Sequence, residues 1–154
     1  MGRIDEKLHK LGIMVPTPAV PVANYVGFVR TGNLVFTAGQ VTLKDGKFEH
    51  LGNVGGTISV EEAHQAARLC AINILAQLKA ACDGDLDRVR RIVKLVGFVN
   101  AVPEFTDHPK VINGASDLMV EVFGDAGKHA RSAVGSGSLP LNVAVEVEAI
   151  AEVA

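Results

Sequence analysis

The run Ile92-Val93-Lys94-Leu95-Val96-Gly97-Phe98-Val99 limits the possible folds more than any other segment. Side chains of a strand alternate between two faces, and here both faces are apolar apart from one lysine. Such a strand belongs in the middle of a sheet. One face is covered from within the chain and the other packs in an oligomer. The neighbouring elements follow from local pattern. Tyr25–Arg30 and Leu34–Ala38 read as strands joined by the turn Thr31-Gly32-Asn33. Val41-Thr42-Leu43 and Lys47-Phe48 flank Asp45-Gly46, a pair suited to a tight hairpin because both residues can take positive φ. Ser59 with Glu62 three residues on predicts a capping box. Ala63, Ala67, Cys70, Ile74 and Leu78 then share one helical face. A second helix is predicted over residues 107–123. Asp107 is its cap, Pro109 lies in its first turn, and Val111, Ala115, Leu118 and Val122 lie on one face. Arg131–Gly135 and Asn142–Val153 supply the last strands.

The order is strands, helix, strand, helix, strands. Directly joined strands run antiparallel, whereas helix-joined strands can lie parallel. The expected fold class is therefore α+β, a two-layer sandwich in which a mixed sheet carries two helices on one face. The other face has no cover from the same chain. Residues 3–11 suit a short amphipathic helix with Ile4, Leu8 and Leu11 on one side. Pro16, Pro18 and Pro21 then impose extended backbone. This divides the chain into an N-terminal helix and proline-rich arm, 1–21, and one domain, 22–154. A length of 154 residues suits a single domain. With 48% apolar and 21% charged residues the chain is not disordered. The apolar excess fits either surface hidden in an oligomer or a small monomer with a rich core.

Several chemistries are excluded. Fifteen basic and seventeen acidic residues give a net charge of −2, without the basic excess that phosphate-backbone binding requires. The short basic run Arg88–Lys94 reads as a solvated junction. Cys70 and Cys82 fall twelve residues apart in one predicted helix, about 18 Å along its axis, too far to bond to each other. They read as buried thiols of a reducing compartment. No run of about 18 apolar residues spans a membrane, and the charged N-terminus leads into no signal-peptide core, so a cytoplasmic location is expected. There is no phosphate loop and no GxSxG elbow. Gly135-Ser136-Gly137 begins a dinucleotide-type motif that then fails. His9, His50, His64, His108 and His129 have no metal-ligand spacing and read as surface histidines. No metal and no cofactor is expected.

Two features carry candidate chemistry. In the last strand Val143, Val145 and Val147 point one way, while Ala144, Glu146 and Glu148 point the other. That sets two carboxylates about 6–7 Å apart on one face. They read either as a solvent-facing edge or as part of a site in an otherwise apolar strand. Arg131 lies in the apolar context Ala130-Arg131-Ser132-Ala133-Val134, where a guanidinium needs a planar anionic partner. Two partners are open: a structural salt bridge to Glu146 or Glu148, or the carboxylate of a ligand.

These residues carry a resemblance. Ala130-Arg131-Ser132-Ala133-Val134, Leu139-Pro140 and Val145-Glu146-Val147-Glu148-Ala149-Ile150-Ala151 resemble the C-terminal signature of the RidA (YjgF-type) family. Thr31-Gly32-Asn33-Leu34 and Thr37-Ala38-Gly39-Gln40 are similar to its N-terminal segments. Tyr25 and Asn113 fall where the family commonly has tyrosine and asparagine. The resemblance implies a chorismate-mutase-like fold and a homotrimeric barrel with ligand clefts between subunits. It implies hydrolytic deamination of reactive enamines or imines, such as 2-aminoacrylate, to 2-keto acids and ammonia. Under it Arg131 clamps a substrate carboxylate, Glu146 holds or deprotonates water, and Tyr25 closes the cleft. The backbone at Gly39 and Ala133 holds water or substrate, and Asn113 supports the cleft. Ala38 stands where the family often has serine, which removes any hydroxyl contact there. The alternatives are a non-catalytic trimer that binds a small carboxylate and, more weakly, an endoribonuclease or translation inhibitor. The last finds no histidine pair, basic face or aromatic stacking platform to support it.

Overall fold

The computed structural model describes all 154 residues. The elements in order are α1 (Arg3–Lys10), β1 (Phe28–Thr31), β2 (Leu34–Thr37), β3 (Leu43–Lys44) and β4 (Lys47–Phe48), followed by α2 (Val60–Ala81) and β5 (Val89–Asn100). The chain ends with α3 (His108–Phe123), β6 (Ala130–Ser136) and β7 (Val145–Val153). The two-sided apolar run is β5, an interior strand of a five-stranded sheet ordered β1-β2-β7-β5-β6. β5 and β6 are parallel across α3, and the other pairs in this sheet are antiparallel. The sheet is mixed because helices α2 and α3 carry the chain into β5 and β6 as crossovers, whereas β1–β2 and β6–β7 are joined without an α-helix. β3 and β4 form a separate hairpin in which Asp45 and Gly46 have φ of 51° and 78°.

α2 and α3 lie on one sheet face. The core between them includes Ile74, Leu75, Leu78, Leu95, Ile112, Leu118, Met119 and Val147, all fully buried. α2 and α3 approach closely because position 114 is glycine. A Cβ there would strike the backbone carbonyl of His64 on α2. Ser59 caps α2 by accepting the Glu62 N–H at 3.1 Å. The reciprocal half of the capping box is not made, because the Glu62 carboxylate turns to His50 Nδ1 at 3.1 Å. Asp107 precedes α3, but its side chain caps nothing. Its carboxylate sits 3.9 Å from Lys110 Nζ, and its backbone carbonyl takes the first-turn N–H groups of Lys110 and Val111.

Several boundaries differ from the sequence reading; the strand expected at 41–43, for example, is Leu43–Lys44. Tyr25 and Val26 lie before β1, which starts at Phe28; both are exposed. The final strand starts at Val145, because residues 140–142 form a 3-10 turn in which Leu141 and Asn142 have positive φ. Leu11 is the exposed residue after α1 and does not share the buried side of Ile4 and Leu8. α1 is fastened at its start by Asp87, whose carboxylate accepts the N–H groups of Ile4 and Arg3 at 2.8 and 2.9 Å. Those bonds hold the Asp87 carboxyl below its ordinary range. Both thiols are buried and outside any disulfide, Cys70 Sγ donating to the Val145 carbonyl at 3.4 Å, and burial pushes both up.

Candidate functional site

The register settles which way each candidate side chain points. Gly97 of β5 faces α3, since a Cβ there would strike Ile112. Gly97 pairs with Ala133 of β6 and Val147 of β7, and Leu95 pairs with Arg131 and Ala149. Paired residues share a face, so Arg131 and Ala133 stand on the helix-covered side. Phe98 pairs with Glu146 and Val134, and Val96 with Glu148 and Ser132. These six stand on the opposite side. The alternation read for Val145, Glu146, Val147 and Glu148 holds, the valines buried and the glutamates half-buried, whereas Val143 and Ala144 precede β7 and are both buried.

The opposite side is apolar and uncovered. Val29 and Phe36, a cross-strand pair, are 55% and 40% exposed, and Val134 is 44% exposed. Ile150, Val96 and Phe98 are half-buried among them. Glu146 and Glu148 rise from this surface. Burial, and then the neighbouring Glu148 carboxylate, raise the Glu146 carboxyl above its ordinary value. Glu146 lies against Gly39, where a Cβ would strike its carboxylate. The Gly39 segment is held by a two-way bridge: Gln40 N–H donates to the Val147 carbonyl at 2.8 Å, and Val147 N–H to the Gln40 carbonyl at 3.0 Å. Gly39 itself makes no hydrogen bond through N–H or carbonyl. A free backbone donor and acceptor therefore sit beside a carboxylate with raised proton affinity.

Arg131 is organised by α3. Its Nη1 donates to Asn113 Oδ1 at 2.7 Å and to Ser116 Oγ at 3.2 Å. No carboxylate approaches it within 4.0 Å, although every ion pair of that length in the chain is accounted for by other cations. The salt bridge to Glu146 or Glu148 left open by the sequence is excluded, because the partners stand on opposite faces. Nε and Nη2 of Arg131 have no protein partner. Ala133 lies two residues along the same edge strand and the same face. Tyr25 is 58% exposed, without a hydrogen bond, and precedes Gly27, whose carbonyl accepts the Ala38 N–H. It is thus at the Gly39 end of β1 and β2.

The candidate residues of one chain thus fall into two groups, Gly39, Glu146 and nearby Tyr25 in one, and Arg131, Asn113 and Ala133 in the other. Two residues of the second group escaped the sequence reading. Ser116 Oγ bonds His129 Nε2 at 2.9 Å, and His129 Nδ1 bonds the Gly127 carbonyl at 2.6 Å. His129 is not a free surface histidine. The available signal was spacing: Asn113 and Ser116 are neighbours on a helix, and His129 shares parity with Arg131. No three His, Cys, Asp or Glu residues come together to hold a metal ion, and no helix is long and apolar enough to cross a membrane.

Residues 5–153 match the family described as "YjgF/chorismate mutase-like, putative endoribonuclease". The chain belongs to this YjgF family. It is 46% identical over 152 residues to Protein TCP17 of Trypanosoma cruzi, covering 98% of this chain and 94% of that protein. A crystal structure of a protein of unknown function from Agrobacterium tumefaciens superposes with a TM-score of 0.93 at 49% identity, covering 98% of this chain and 92% of that one. A 2-iminobutanoate/2-iminopropanoate deaminase of Dermatophagoides farinae is 30% identical over 138 residues, covering 90% of this chain and 92% of the relative. The mixed sheet with helices on one face is thus the fold of the YjgF family.

Proposed function

We propose that this YjgF-family protein hydrolyses small imines that carry a carboxylate, releasing a 2-keto acid and ammonia. The observation that carries the reading is Arg131, a half-buried guanidinium with no carboxylate within 4.0 Å and a free Nε–Nη2 edge. A planar two-donor edge matches a carboxylate, and such charge-assisted pairs are worth roughly 1.5–3 kcal/mol. The deaminase relative from Dermatophagoides farinae supports the reaction class.

Arg131 and Glu146 stand on opposite faces of one sheet, so one small ligand meets both only where two chains adjoin. The uncovered apolar face around Phe36, Phe98 and Val134 supports such an assembly, a homotrimer with clefts between protomers. In each cleft Arg131 and Asn113 of one chain would face Gly39 and Glu146 of the next. Arg131 holds the carboxylate. Glu146 takes a proton from water as the water oxygen bonds to the imine carbon. The carboxyl returns that proton to the nitrogen, giving a carbinolamine. It then takes the hydroxyl proton and passes it to the nitrogen as the carbon–nitrogen bond breaks, so ammonia leaves as the keto group forms. A carboxyl whose proton affinity is raised by burial and by Glu148 suits these transfers. Gly39 N–H is free to orient the water or the substrate.

The test couples a serine or threonine dehydratase to the protein and follows keto-acid release. Acceleration over buffer that disappears in Arg131→Ala supports the reading. No acceleration by the unaltered protein removes it. Calorimetry with a 2-keto acid then decides whether the chain is a carboxylate-binding protein without turnover.

A further inference from the structure

The Arg131 guanidinium does not stand alone. Behind it runs a chain of hydrogen bonds in which each donor direction follows from the last. The Gly127 carbonyl can only accept, so the 2.6 Å bond to His129 Nδ1 places the imidazole proton on that nitrogen. Nε2 of the neutral ring is then an acceptor. Ser116, 2.9 Å away, must donate its single hydroxyl hydrogen to it. With that hydrogen committed, Ser116 Oγ presents only lone pairs to Arg131 Nη1 at 3.2 Å. Asn113 Oδ1 takes the other Nη1 hydrogen at 2.7 Å. Both Nη1 hydrogens are consumed on the helix side. The guanidinium plane is fixed, and the Nε–Nη2 edge is the one left to a ligand.

We infer that Ser116 and His129 are positioning residues that aim the Nε–Nη2 edge of Arg131 at a ligand carboxylate. The inference rests on the proposed role of Arg131 as an anion clamp and names the residues that set its geometry. Arginine side chains carry large rotamer freedom, and a clamp fixed before binding avoids ordering that freedom in the complex. The backbone carbonyl of Gly127, through one imidazole and one hydroxyl, thus sets a specificity for planar anions. His129 lines a surface cavity of about 460 Å³ with Arg91, Val93, Lys128 and Ala130 and is not one of the apolar core residues.

The experiment compares 2-oxobutanoate with its neutral amide, by calorimetry or competition, in the full-length protein. Ser116→Ala is expected to weaken the acid about tenfold, the scale of one hydrogen bond to a charged group, and to leave the amide unchanged. His129→Ala is expected to give part of that loss. His129→Gln, which can offer an acceptor to the Ser116 hydroxyl, is expected to restore it. Nitrogen-15 shifts of the His129 ring should report the proton on Nδ1. A merely structural role would weaken acid and amide alike and lower thermal stability in step. Equal losses for the two ligands, no loss in Ser116→Ala, or a proton on Nε2 would overturn the inference. If Arg131→Ala itself keeps the preference for acid over amide, the anion-clamp reading fails first.

Discussion

On the helix-covered face of the sheet, Arg131 is tied by Nη1 to two α3 side chains and backed by His129. On the uncovered face, Glu146 rests against the glycine backbone at 39 and pairs across the sheet with Phe98, with another carboxylate beside it. The cation is held by hydrogen bonds that satisfy one side of it. The carboxylate is held in a setting that disfavours its charge. The difference teaches why, under the proposed function, the site would be completed only between two copies. A helix-covered edge can order a long cation within the chain, because α3 supplies acceptors. A bare apolar face can raise a carboxyl but cannot supply the counter-charge.

The largest expected effect tests whether the two faces act together. Arg131→Ala and Glu146→Gln should each lower kcat/KM for keto-acid release by about 10²–10⁴-fold, the range for a lost acid–base group or charge clamp. Co-refolding the two variants should then restore part of the activity, because some clefts would join an intact Arg131 from one chain to an intact Glu146 from the next. A site contained in one chain would never hold both residues in that mixture. Absence of recovery, with assembly verified, would break the comparison at its root.

Next in size is the contrast between the faces in stability. Leu95 is fully buried on the helix side of β5, and Phe98 is three residues on and faces the other way. Leu95→Ala should cost about 2–5 kcal/mol in denaturant unfolding, as transfer and cavity terms combine. Phe98→Ser should shift that midpoint much less in dilute protein and should lower the mass measured by sedimentation. If Phe98→Ser costs as much as Leu95→Ala and leaves the mass unchanged, the open face is not an association surface.

The sequence revealed one of these faces far better than the other. Residues 145–148 alternate valine and glutamate, so period two alone assigns Glu146 and Glu148 to the side away from the core. β6 gives no such reading. Its residues, Ala-Arg-Ser-Ala-Val-Gly-Ser, are small or polar on both sides. Only the parallel register with β5 and the bonds to α3 decide where Arg131 points. The same gap hid Ser116 and His129, whose partners lie 13 residues apart in the chain. The run Tyr25–Arg30 reads as one strand, yet pairing starts at Phe28, and the Ala38 N–H bonds the Gly27 carbonyl outside the ladder. The capping of α2 was readable from Ser59. The partner of Glu62 was not, because His50 reaches it from a loop.

The smallest effect sharpens the comparison on the Glu146 side. Its folded-state carboxyl is raised above an ordinary value of 4.5, by burial first and Glu148 second. Between that value and the raised one, the folded chain binds more protons than the unfolded chain. Stability therefore falls as pH climbs through this window and stays lowered above it. Below the ordinary value both states are protonated and the penalty vanishes. Glu146→Gln removes the ionisation. It should raise Tm modestly at neutral pH and lose that advantage in acid, while abolishing turnover. Opposite signs for stability and activity in one substitution are expected where a carboxyl is kept in an unfavourable setting for its chemistry. A neutral-pH Tm that falls in Glu146→Gln would mean that the charge is already compensated on the open face. The contrast with Arg131 would then lose its electrostatic basis.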